Sequence, residues 1–156
     1  MKRSVLVSLM LVVGLSCAIA SAQSPDLVKK NDLKNHPFQV GDLGLTIGTF
    51  RPHLRDLPTF VRTPGQIQVR AVNSTDRAVQ YSPMDIVLVG SDGKQVNLRG
   101  RFQMGFFDPD SDRLDPIQAM TIAPGAILEE FYELTGPVKL PARLYYGGQQ
   151  LAVITN

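Results

Sequence analysis

The reading of the fold turns on residues 84–99, MDIVLVGSDGKQVNLR. Ile86-Val87-Leu88-Val89 is apolar on both faces, as a strand in the middle of a sheet requires. Gly90-Ser91-Asp92-Gly93 follows, a cluster suited to the positive φ angles of a tight turn. On the return, Val96 and Leu98 alternate with Gln95, Asn97 and Arg99, so one face is apolar and the other polar. Strand, turn and half-buried strand make an antiparallel hairpin.

The same period of two extends in both directions. Toward the N-terminus, Ile67, Val69 and Ala71 alternate with Gln66, Gln68 and Arg70 and stop at Asn73-Ser74-Thr75-Asp76, and Leu45 and Ile47 alternate with Thr46 and Gly48. Toward the C-terminus, Phe102, Met104 and Phe106 alternate with Gln103, Gly105 and Phe107 before an acidic loop, and Ile117–Ile122 forms a further short run. Ala123-Pro124-Gly125 turns the chain into Ile127–Leu134, where Leu128, Tyr132 and Leu134 share a face. Leu144 and Tyr146, the turn Gly147-Gly148, and Leu151 and Val153 complete a terminal hairpin. Short strands with turn signals about every ten residues predict an antiparallel sandwich or barrel over residues 43–156. Residues 23–42, polar and holding two prolines, read as an N-terminal arm or linker.

Residues 1–22 have a different character. Lys2 and Arg3 precede the apolar run Val5–Leu15, and Ala20-Ser21-Ala22 supplies the small residues of a signal-peptidase site. The run is too short for a stable membrane span, which needs about 20 apolar residues. The expectation is therefore a cleaved secretory signal, export to the periplasm or cell exterior, and a mature N-terminus at Gln23. The alternative is a lipid anchor on Cys17, because Leu15-Ser16-Cys17 partly matches a lipobox. The chain carries 16 Lys+Arg and 14 Asp+Glu, and loss of Lys2 and Arg3 leaves fourteen of each on the remaining 134 residues. The sole cysteine departs with the signal, so neither a disulfide nor a thiolate site is expected in the mature protein. Charge neutrality argues against nucleic acid as a partner.

Three segments carry a family likeness. Val69-Arg70-Ala71-Val72-Asn73-Ser74-Thr75-Asp76 is a strand ending in an Asn-Ser-Thr-Asp turn, and Met84–Val96 is the hairpin already described. The third is Ala123-Pro124-Gly125 through Leu134, followed by Pro141–Ile154. Together they resemble the immunoglobulin-like domains of unknown function on bacterial secreted proteins and lipoproteins, related to the immunoprotective-antigen-like sandwiches. The resemblance implies an all-β, immunoglobulin-like antiparallel sandwich of about 7–8 strands, and no shared catalytic residues. It departs from the pattern over Arg99–Asp115, which is longer and more aromatic.

Two groups of residues could carry a function. Asp108, Asp110 and Asp112, with Asp115 beyond, space carboxylates so that they can converge on Ca²⁺, although Arg113 and Ala119 break the EF-hand pattern and an acidic turn explains the same residues. Arg99, Arg101 and Phe107 in RGRFQMGFF form the candidate surface for an envelope or extracellular protein, since Arg and aromatic residues dominate interface hot spots. Phe107 is singled out because it is out of phase with Phe102, Met104 and Phe106.

Other chemistry finds little footing. His53 has no methionine at close ligand spacing, and Met84 and Met104 read as core fillers rather than copper ligands. Glu129, Glu130 and Glu133 read as a solvated strand face, and Gly-x-Ser-x-Gly and His-Glu-x-x-His are both absent. The sequence predicts a non-enzymatic binding or accessory module that needs no cofactor, with a Ca²⁺-dependent structural module as the alternative.

Overall fold

The computed structural model describes residues 24–49, 65–102 and 114–156. The strands are β1 (Asp26–Lys29), β2 (Phe38–Val40), β3 (Leu43–Thr49), β4 (Gln66–Asn73), β5 (Val79–Tyr81), β6 (Ile86–Val89), β7 (Gln95–Phe102), β8 (Met120–Ile122), β9 (Ile127–Leu134), β10 (Ala142–Tyr146) and β11 (Gln149–Thr155). Nine of them form one sheet in the order β1-β11-β10-β6-β7-β9-β4-β3-β2, and β5 pairs with β8 separately. Every pairing is antiparallel except β1 with β11. Among the described residues the fold is all-β and almost wholly antiparallel.

Strand β7 makes this single sheet into a sandwich. Its residues 95–97 pair with β6, and from Leu98 onward its partner is β9. The chain thus passes from one half of the sheet to the other within one strand. The two halves enclose a core in which Leu45, Ile47, Val69, Tyr81, Ile86, Tyr132 and Leu144 are almost fully buried. Burial of that apolar surface is the main source of stability.

The hairpin β6–β7 forms as its residues predict. Gly93 takes φ +75°, and its N–H donates to the Gly90 carbonyl at 2.9 Å. The terminal hairpin uses two glycines, Gly147 and Gly148, both at positive φ between the paired residues Tyr146 and Gln149. That is the geometry a two-residue hairpin loop demands.

Residues 24–42, read as an arm or linker, lie along both margins of the sheet. β1 adds to β11 at one edge with Val28 buried, and β2 adds to β3 at the other with Phe38 buried. A 3-10 turn, Leu33–Asn35, joins them and buries Leu33. The strand expected over Ile117–Ile122 shrinks to Met120–Ile122, and a short strand at Val79–Tyr81 pairs with it.

Asn73, where the sequence ends a strand, is wholly buried. Its side-chain amide donates to the carbonyls of Arg77 (2.7 Å), Ile122 (3.0 Å) and Ala123 (3.1 Å). Its oxygen accepts from the Thr75 N–H (3.0 Å) and hydroxyl (2.7 Å). One side chain thereby ties the end of β4 to the turn between β8 and β9.

Candidate functional site

The site grows from an irregularity in β7. Leu98 lies opposite Leu134, but the next pair is Gly100 with Glu133, so Arg99 is an extra residue in a β-bulge. The bulge shifts the phase of everything beyond it. Arg101 consequently lies opposite Tyr132, on the side of the sheet that faces the core. Gly100 makes the shift possible, because a Cβ there would stand 2.4 Å from the Leu114 Cβ. The returning chain is pinned at the same place by paired backbone bonds between Arg101 and Asp115, 3.0 and 3.1 Å long.

Arg101 meets a carboxylate that should not be there on hydrophobic grounds. On β9, Glu130 has the parity of Leu128, Tyr132 and Leu134, and it is only 7% exposed. Arg101 Nη1 donates to Glu130 Oε1 at 2.8 Å, and Arg101 Nη2 donates to Asp115 Oδ2 at 3.2 Å. The Tyr132 hydroxyl donates to Glu130 Oε2. Glu130 is therefore held by a cation on one oxygen and a phenol on the other, which is how a buried carboxylate becomes tolerable.

Tyr81, on β5, completes the group. Its ring stacks against Tyr146 with centroids 6.4 Å apart, and its hydroxyl faces Tyr132 without a hydrogen bond of good geometry. Burial pushes the phenols of Tyr81, Tyr132 and Tyr146 up from their usual range, because desolvation penalises the phenolate. The bonds to Glu130 and then Asp115 raise Arg101 further still, so it is a fixed cation. Two buried polar atoms lack a partner among the described residues, Tyr81 Oη and Arg101 Nε, and both belong to this network.

The network floors a cleft of about 300 Å³. Pro116, Ile117 and Met120 supply apolar wall, and Gln118 supplies an amide. The volume is at the small end for a ligand pocket. Arg101, Glu130 and Tyr132 sit on paired strands, so they are positioned before anything binds.

The sequence expectations meet this geometry unevenly. The structure separates Arg99 from Arg101. Arg99 is exposed and pairs with Glu133 at 3.3 Å, while Arg101 enters the cleft. Phe107 lies outside the described residues, as do Asp108, Asp110 and Asp112. Asp115, the remaining member of the expected Ca²⁺ set, is the ion-pair partner of Arg101. Among the described residues no cluster of three or more His, Cys, Asp or Glu side chains is placed to hold a metal. His53, Met104 and Cys17 also lie outside the described residues.

Two readings are corrected. Of the carboxylates assigned to a solvated face, only Glu129 is exposed, while Glu130 and Glu133 are each 7% exposed because arginines from β7 cover them. Met84, read as a core filler, is 61% exposed in the 3-10 turn Pro83–Asp85. Glu130, Tyr132 and Tyr81 were not picked out as site residues. The signal for Glu130 was present, since a carboxylate shared the parity of Leu128, Tyr132 and Leu134.

No family model matches the chain, and no curated protein matches it. Among solved structures it is similar to the yjhA protein from Bacillus subtilis, with 14% identity and a TM-score of 0.45 over 77% of this chain and 80% of that one. It is also similar to MPT63, a secreted protein from Mycobacterium tuberculosis, with 13% identity and a TM-score of 0.44 over 83% of this chain and 98% of that one. At such identities no residue role passes from either protein to this one.

Proposed function

We propose that this chain is an exported, non-enzymatic β-sandwich that recognises a partner through the cleft beside Arg101. The observation that carries the reading is the cleft itself, a preformed concavity floored by a charged network on rigid strands. Binding suits it better than proton transfer. Both oxygens of Glu130 already accept hydrogen bonds, from Arg101 and from Tyr132, so the carboxylate is committed to the network rather than placed against a reacting group. Export is supported by the basic, apolar and small-residue segments of residues 1–22.

Met120→Arg is the test, because a long side chain there occupies the cleft. Wild-type chain incubated with envelope extract is expected to retain a component that Met120→Arg loses, with both proteins giving the same circular dichroism. Equal retention by the two overturns the cleft as the site. Turnover in a broad hydrolase screen overturns the non-enzymatic reading. N-terminal sequencing of the exported protein is expected to begin at Gln23.

A further inference from the structure

Strand register places an unusual set of residues on the outward face of β1, β11, β10, β6 and β7. Leu27 lies opposite Val153, Val153 opposite Arg143, and Arg143 opposite Val89. The neighbouring row sets Tyr145 opposite Val87. These residues alternate with the core-facing Val28, Ile154, Leu144 and Leu88, so they point away from the interior. A solvated sheet face ordinarily presents polar side chains here. This one presents Leu27, which is 77% exposed, beside the half-buried Val87, Val89, Tyr145 and Val153.

Charge narrows what can cover it. Within the two rows, Arg143 is the one charged side chain among the described residues, and Gln95, Asn97 and Gln150 supply amides toward the margin. Tyr and Arg in an apolar setting is the composition of a protein-binding patch, and Lys29, on the same face of β1 opposite Thr155, adds a second cation at its margin. Arg143 also stands mid-row, with Val153 on one side and Val89 on the other. A second copy related by a two-fold axis would therefore bring two Arg143 guanidinium groups together. A partner that offers a carboxylate within an apolar surface neutralises the charge instead.

We propose that this face docks a different protein, one presenting an acidic side chain set among apolar residues, with Arg143 as the central contact. The surface lies apart from the cleft and does not depend on it.

The test is photo-crosslinking of the full chain in its native cell, with a benzophenone amino acid at position 87 or 153. Arg70, exposed on the other half of the sheet, is the control position. The expected result is one protein crosslinked from 87 and 153 but not from 70. Its yield should fall about tenfold with Arg143→Glu, at an unchanged melting temperature, and return when an acidic residue of that protein is changed to Lys. No crosslinked protein, equal crosslinking from position 70, or yield indifferent to Arg143→Glu overturns the proposal. Crosslinks to a second copy of the chain, or to lipid, overturn it equally.

Discussion

Asn73 and Glu130, the latter paired with half-exposed Arg101, are both buried polar groups on core-facing sides of their strands, yet they are finished differently. Asn73 spends both ends of its amide on Thr75, Arg77, Ile122 and Ala123, so nothing remains to offer a ligand. Arg101 and Tyr81 keep unpartnered polar atoms, and their network opens on a cleft. A closed polar cluster adds stability and fixes geometry, whereas one left partly open stores binding capacity at a cost in stability. The contrast separates a structural staple from a site.

The largest expected effect is on the staple. Asn73→Ala removes five hydrogen bonds, including the one to the carbonyl of buried Ile122, for a loss of about 3 kcal/mol, or roughly 10 °C in Tm. Thermal unfolding checks this, and a loss below about 1 kcal/mol would remove the distinction between the two regions.

Gly100→Ala comes next. The added Cβ collides with Leu114 and strains the bulge, which should cost about 2 kcal/mol. Gly100→Ala/Leu114→Ala should be less unstable than the two single losses added together, a coupling that a double-mutant cycle reads directly.

Tyr132→Phe removes the phenol that donates to Glu130, and about 1.5 kcal/mol is expected to go with it. The same substitution sharpens a pH effect. The phenols of Tyr81, Tyr132 and Tyr146 titrate above their ordinary value in the folded chain, so the folded state holds these protons more tightly than the unfolded one. Their contribution is complete below about pH 10 and is lost as pH rises beyond it. Denaturant titrations should give flat stability from neutral pH to about pH 9, then a decline that is shallower in Tyr132→Phe.

The smallest effect concerns Ca²⁺. A site with a dissociation constant near 1 mM would add only about 0.4 kcal/mol at 1 mM Ca²⁺, about 1 °C in Tm. Because Asp115 is engaged with Arg101, the expected shift between 1 mM Ca²⁺ and EGTA is smaller than this. A larger shift that disappears in Asp110→Ala would establish the acidic loop as a metal site.

The strands were legible wherever side-chain alternation and turn residues coincide, as at Gln66–Asn73, Ile86–Val89 and the hairpin closed by Gly147-Gly148. β1 and β2 were not. Each contributes a single buried anchor, Val28 or Phe38, and one apolar residue has no period. Of the site, Arg101 could be named but not placed. Alternation carried through Val96 and Leu98 puts Arg101 on the polar face, and the bulge at Arg99 reverses that. Such a bulge has no local signature beyond Gly100, because it exists to accommodate Leu114 from a later part of the chain.

Composition and spacing determine, without any coordinates, a β-rich chain with alternating faces, glycine turns and a leader-like first 22 residues, since period and turn preference act between near neighbours. The tertiary structure decides which polar side chains become a site. Glu130 turns from a surface carboxylate into the anchor of Arg101 only when β9 lies between β7 and β4. Burial and charge pairing depend on residues that are distant in sequence, and only the folded sheet brings them into register.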